Sequence, residues 1–143
     1  MRIFTAGWFT PLPASIQRIG ISRGVPRAGK AGRGYRIMRE LAPGLWFLSA
    51  SPTEYVVRYY DEILAALDPR ALLKRMEALG QGRDVALLCF ERPPFCAETY
   101  NLCHRRIAAS WLEQHLGIGV PEYLPEGIEV GDTVPIGASP RLA

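Results

Sequence analysis

The chain reads as an α/β fold, a compact three-layer domain with a mainly parallel sheet flanked by helices. Short runs rich in β-branched and aromatic residues alternate along it with amphipathic segments of helical period. One run, Val85-Ala86-Leu87-Leu88, is apolar without interruption, as a strand buried on both faces must be. The length of 143 residues is one domain's worth of chain, and its apolar and charged contents, 48% and 22%, are ordinary for a globular protein. Strands alternating with helices are the pattern of a layered, parallel sheet. The domain is expected to span residues 1–124, and residues 125–143, where glycine and proline recur without helical period, to form an extended tail.

The elements follow in order. Arg2–Phe9 alternates and holds Ile, Phe, Thr and Trp, so it reads as a first strand that turns at Gly7. Pro11–Gln17 reads as a short helix leading into a second strand over Arg18–Ser22. Arg23–Gly34 has glycines, a proline and basic side chains with no apolar period, and is a loop. Tyr35–Leu41 reads as a short helical turn ended by Pro43-Gly44, and Leu45–Ser49 as a third short strand. Ser51-Pro52-Thr53-Glu54 combines a capping serine, proline at the first helical position and glutamate three residues on. Behind it Tyr55, Val56, Tyr59, Ile63, Ala66 and Leu67 recur at helical spacing. Asp68-Pro69 repeats the start signal, and Leu72, Leu73, Met76 and Leu79 form a stripe closed by Gly80. A strand over Asp84–Cys89 comes next, then a helix from about Leu102 to Leu116 stopped by Gly117. Gly119–Leu124 reads as a short edge strand interrupted by Pro121.

No window approaches the roughly 18 continuous apolar residues of a membrane span, and the N-terminus runs straight into a strand pattern. A cytoplasmic protein without membrane attachment is the expectation. The three cysteines are an odd count, so reduced thiols are expected rather than a disulfide framework. The net charge of +3 is unevenly placed. Residues 1–44 hold eight basic side chains against the one acid Glu40, a balance of +7, whereas the remainder holds nine against thirteen, a balance of −4. An asymmetry of this kind points to an anionic partner, either a small molecule or nucleic acid.

The candidate chemistry is concentrated between Val85 and Leu116. All three cysteines and one of the two histidines fall there. Cys89 and Glu91 stand where the buried strand should end, and Cys103-His104-Arg105-Arg106 opens the following helix. Ligands of open α/β sheets bind beyond the carboxyl ends of strands, where helix N-termini also point. A helix N-terminus and neighbouring cations favour a thiolate at Cys103, and Cys89 can face the same crevice. Glu91 and His104 suit proton handling, and Arg105 offers a planar fork for phosphate or carboxylate. The plainer readings are a core Cys89, an incidental Cys96 and a solvated Arg105-Arg106 face. A hydrogen-bonded network that only fastens the last helix to the sheet is the structural alternative. Six-residue gaps between the cysteines do not fit the ligand pairs of zinc sites, so no metal is expected. His115, late in the helix, suits the dipole there.

Arg23–Arg39 has the composition of a phosphate-facing loop, with Arg23, Arg27, Lys30 and Arg33 among glycines. It has neither the spacing of a Walker-type loop nor a Gly-x-Gly-x-x-Gly, which excludes nucleotide binding by those motifs, and no cofactor is expected. Aromatic side chains such as Trp8, Tyr35 and Tyr100 suit base stacking or ordinary packing. A non-catalytic nucleic-acid-binding module that uses the basic 18–39 segment is therefore the rival to an enzyme-like domain.

Leu87-Leu88-Cys89-x-Glu91 followed by Cys103-His104-Arg105 at a helix start resembles the signature of the family called domain of unknown function 488. The opening Ile3-Phe4-Thr5-Ala6-Gly7-Trp8 and the second strand with Pro26-Arg27 behind it are similar to the same family, over most of residues 1–123. The resemblance implies a compact α/β fold and a pocket at the cysteine-histidine-arginine end. It implies Cys89, Glu91, Cys103, His104 and Arg105 as the matching positions, with Arg23 as a further candidate. It implies no particular reaction, since the family name records none.

Overall fold

The computed structural model describes residues 1–27, 29–90 and 103–125. Four strands form one wholly parallel sheet, β1 (Ile3–Gly7), β2 (Ile16–Gly20), β3 (Arg36–Ile37) and β4 (Asp84–Cys89), in the order β1-β4-β2-β3. With helices α1 (Pro52–Arg58), α2 (Pro69–Gly80) and α3 (His104–Leu116), this is the α/β class expected from the sequence. No described helix is long and apolar enough to cross a membrane.

β4 is the central strand. It pairs with β1 from Ile3↔Val85 to Gly7↔Cys89 and with β2 from Ile16↔Asp84 to Gly20↔Leu88. Every residue from Val85 to Cys89 is 0% exposed, which explains the unbroken apolar run. Alternate side chains feed two cores. Val85 and Leu87, with Ile3 and Ile19, pack with Leu72 and Met76 of α2 and with Ile107, Trp111 and Leu112 of α3. Ala86 and Leu88, with Ala6 and Ile16, pack with Trp8 and Ala31. The described helices thus gather on one face, and loops cover the other.

That second face follows from the connection between β1 and β2. Residues 8–15 must return the chain to the start of a parallel strand, a crossover that ordinarily takes a dozen residues or more and a helix. The expected helix over Pro11–Gln17 does not form: Pro11 and Pro13 supply no N–H, and Ile16 and Gln17 pair instead with Asp84 and Val85. The short crossover is tied down by Arg18, whose guanidinium donates to the carbonyls of Trp8, Thr10 and Ala31. Trp8 lies against Gly20, where a Cβ would meet its ring at 2.3 Å, and its Nε1 donates to Ser22 Oγ at 2.8 Å. Only glycine lets the indole cross β2 that closely.

Helix starts match the sequence signals. Ser51 Oγ accepts from the Glu54 N–H at 3.2 Å and Asp68 Oδ1 from the Arg70 N–H at 3.0 Å. After Arg58 the first helix widens to a π turn (Tyr59–Ile63) and tightens to a 3-10 turn (Leu64–Ala66). α2 keeps Gly80 as its last residue, and the left-handed cap is Gln81 (φ 50°). α3 ends at Gly117 (φ 65°) as expected. Leu45–Ser49 is not a strand but a 3-10 turn over Leu45–Leu48, with Leu45 68% and Leu48 76% exposed. Of its apolar side chains Trp46 packs against the core, and Leu45, Phe47 and Leu48 are exposed. Tyr35–Leu41 divides into β3 and a 3-10 turn (Arg39–Leu41). The Gly119–Leu124 stretch, expected as a short edge strand, lies beside β1 and forms a single parallel bridge, Thr5↔Glu122. The Thr5 N–H donates to Pro121 O at 3.0 Å, and the Tyr123 N–H to Thr5 O at 2.8 Å. Residues 126–143 of the expected tail lie outside the described residues.

Tyr59 is 0% exposed, and its hydroxyl donates to Leu41 O at 2.7 Å. Burial, with Tyr55 and the Cys89 and Cys103 sulfurs adding to it, pushes the phenol well above its ordinary 10.0. A folded-state value above the unfolded one means that the neutral phenol favours the fold below about pH 10, and that this contribution is lost as pH rises past it. Tyr59→Phe is expected to cost roughly 1–3 kcal/mol at pH 7, because Leu41 O loses its donor. The stability gap between wild type and variant should narrow in urea titrations at about pH 11, since the variant has no phenol to ionise.

Candidate functional site

α3 begins where β4 ends. Cys103 is its N-cap, and the Cys103 carbonyl accepts from the Arg106 and Ile107 N–H groups at 2.9 and 3.2 Å. From His104 to Leu112 the helix is buried on every side. Two consecutive arginines, Arg105 and Arg106, are thereby carried to 0% exposure, where each guanidinium must be met by acceptors.

Those acceptors come from three segments far apart in sequence. Arg105 grips Glu122 with both arms of its fork, Nε to Oε1 at 3.0 Å and Nη2 to Oε2 at 2.8 Å, and both side chains are 0% exposed. Its remaining nitrogen, Nη1, donates to Cys89 Sγ at 2.9 Å. Thr5 Oγ1 donates to Glu122 Oε1 at 2.6 Å and accepts from Arg106 Nη1 at 2.7 Å, while that nitrogen also donates to Val120 O at 2.7 Å. The Cys89 and Cys103 sulfurs are 3.3 Å apart. Burial draws the Arg105 guanidinium down, but the two sulfurs and Glu122 outweigh it and hold the group well above its ordinary range. Arg105 stays charged at any working pH.

His104, 4% exposed, lies on the other side of the helix start. Its Nε2 is 3.0 Å from Ile21 O, and since a carbonyl can only accept, Nε2 carries a proton there. The imidazole meets Tyr59 edge-on at 5.7 Å. It also lines a cavity of about 240 Å³, together with Ser22, Arg23, Pro43, Tyr55 and Phe90. Ser22 follows β2 and Phe90 follows β4, so the cavity stands beyond the carboxyl ends of two parallel strands. Arg23 is anchored by Nη1 to Pro43 O at 3.1 Å.

The sequence candidates therefore separate. Cys89, Cys103 and Arg105 come together in a buried cluster, and His104 and Arg23 come together on the cavity. Arg105 faces Glu122 and Cys89 and does not line that cavity. Arg27 is exposed and stands apart from it. Glu91 and Cys96 lie outside the described residues. Two members of the buried network, Thr5 and Glu122, escape sequence reasoning, and Arg106, readable in sequence as part of a solvated face, is 0% exposed. The available signal was Glu122 itself, an acid in the otherwise apolar stretch from Ile118 to Leu124.

A second concavity, of about 470 Å³, lies near the starts of β2 and β4. Arg18, Arg33, Arg36 and Arg83 line it, and among the described residues no acid does. Arg83 is held by Gln17 Oε1 and by the Gly80 and Ala14 carbonyls.

Comparison with protein families gives a match. The family model described as the active DUF488-N3 subclade covers residues 10–116, well over half of the chain. The chain belongs to the DUF488 family. No curated protein and no solved structure gives a match. The span matched by the DUF488 model holds Cys89, Cys103, His104 and Arg105 with Arg23 and Arg27, and leaves Thr5 and Glu122 outside it.

Removing one partner of a buried ion pair strands the other charge. Glu122→Ala in this DUF488 protein is expected to cost roughly 3–5 kcal/mol in chemical denaturation, and Glu62→Ala on the exposed, solvent-screened Arg58–Glu62 pair far less.

Proposed function

We propose that the protein is an enzyme-like domain that binds a phosphate-bearing or other anionic small molecule in the cavity between Ser22 and His104. The observation that carries this reading is the pairing of a basic rim residue, Arg23, with a titratable one, His104, beyond the carboxyl ends of β2 and β4. In this reading Arg23 holds the anion as a charged fork, and His104 handles the proton while Ile21 O fixes its ring. The family description "active" accords with a site that does chemistry. Cys89 and Cys103, 0% and 1% exposed, stand behind this cavity, so their positions do not favour attack on a ligand held in it.

Inorganic phosphate and a panel of phosphomonoesters, followed by thermal shift and titration calorimetry, test this. At least one should bind, and Arg23→Ala should weaken it about 10- to 100-fold, the worth of a charged hydrogen bond, while Arg27→Ala leaves it unchanged. Binding by none, or equal binding by the Arg23 variant, would overturn the reading.

The four-arginine concavity favours a second reading, a nucleic-acid contact that uses the basic 18–39 segment. Among the described residues none of its four guanidiniums has a carboxylate within ion-pair distance, so a phosphate backbone would supply the missing charge. Oligonucleotide affinity should then fall steeply between 50 and 200 mM salt, and the joint change Arg33→Ala with Arg36→Ala should flatten that dependence. Affinity that ignores both salt and these arginines would exclude it.

A further inference from the structure

We propose that Cys89 and Cys103 form a reversible dithiol–disulfide pair, a modification site that a small peroxide oxidises. The proposal does not rest on the Arg23–His104 cavity and stands or falls separately from it. It begins with geometry. The two sulfurs are 3.3 Å apart, one on the last residue of the central strand and the other on the N-cap of α3. A disulfide needs about 2.05 Å, so closure asks for an approach of about 1.2 Å. Side-chain rotation with a small shift of one helix end covers that distance.

The surroundings assign different roles to the two sulfurs. Arg105 Nη1 donates to Cys89 Sγ at 2.9 Å, and a guanidinium N–H on sulfur favours the thiolate. With Cys89 as thiolate, the short S···S contact is a Cys103 S–H donating to it. Cys89 is then the attacking sulfur and Cys103 the resolving one. Glu122 holds two other guanidinium nitrogens, so Arg105 is fixed in place whether or not Cys89 bears charge.

The chemistry balances with hydrogen peroxide as the oxidant. The Cys89 thiolate attacks one peroxide oxygen, the O–O bond breaks, and the departing hydroxide takes a proton to leave as water, with Cys89 as the sulfenic acid. The Cys103 sulfur attacks the Cys89 sulfur, the S–O bond breaks, and hydroxide leaves as a second water with the Cys103 proton. The pair loses two electrons and peroxide gains them. A dithiol reductant reverses the change by exchange through a mixed disulfide. Exposures of 0% and 1% select the oxidant by size: peroxide reaches the pair through local openings that exclude bulky disulfides.

The test uses the native full-length chain and its Cys96→Ser variant. Each is treated with stoichiometric hydrogen peroxide, quenched with an alkylating agent and mapped by mass spectrometry. The expected result in both is a loss of about 2 Da, a peptide cross-linked between Cys89 and Cys103, and full reversal by dithiothreitol. The cross-link closes a short loop, and the oxidised protein should melt roughly 5–10 °C higher. A mass gain of oxygen without a cross-link, a bridge to Cys96, or thiols that react only after unfolding would each overturn the proposal.

Discussion

The grip of Arg105 on Glu122 is the interaction around which this molecule is arranged. A buried charge is tolerated only when its partner arrives with suitable geometry, and here the partner comes from a segment beyond the helix that carries the arginine. The carboxylate must therefore stand beside β1, which gives the Pro121–Tyr123 stretch its place at the edge of the sheet. Thr5 turns this pair into a network by donating to Glu122 and accepting from Arg106. One polar cluster thus joins β1, β4, α3 and the segment after it. It specifies which end of α3 meets the sheet, a choice that apolar packing alone would leave loosely determined.

The same network explains why the residues singled out by chemistry divide between two environments. A helix that starts at the end of β4 must send side chains both inward, toward the sheet, and sideways, over the strand ends. Cys103 and Arg105 go inward to Cys89, whereas His104, one step around the helix, reaches Ile21 O and the cavity. Rigid anchoring on one side and an open concavity on the other is the arrangement that precise ligand positioning requires.

Much of the fold was legible because local signals and global demands agreed. The apolar run of β4, the serine and aspartate caps and the stop at Gly117 each act within a few residues, and sequence displays such effects directly. Leu45–Ser49 misled because apolar composition cannot tell a buried strand from an exposed turn. Pro11–Gln17 misled because a connection that crosses between parallel strands ordinarily holds a helix, whereas here two prolines and the pairing of Ile16 and Gln17 leave no room for one. In the candidate site, the clustering of cysteine, histidine and arginine marked the right neighbourhood. The roles within it were not legible, because Glu122 and Thr5 are partners supplied by tertiary structure, at separations of 17 residues and more from the groups they satisfy.

The strand order also has a consequence for how the chain acquires its structure. β1 and β2 are neighbours in sequence, yet neither pairs with the other; both pair with β4, so that Ile3 meets Val85 across 82 positions. During synthesis the first two strands emerge long before the strand that will separate them. Until then their hydrogen-bonding edges have no native partner apart from the small β2–β3 pairing. The sheet is completed by insertion at its middle, not by addition at its edge. Closing such long loops is slow, which makes assembly of the nascent chain late and abrupt. Chaperone dependence on the ribosome would be the cellular trace of this topology.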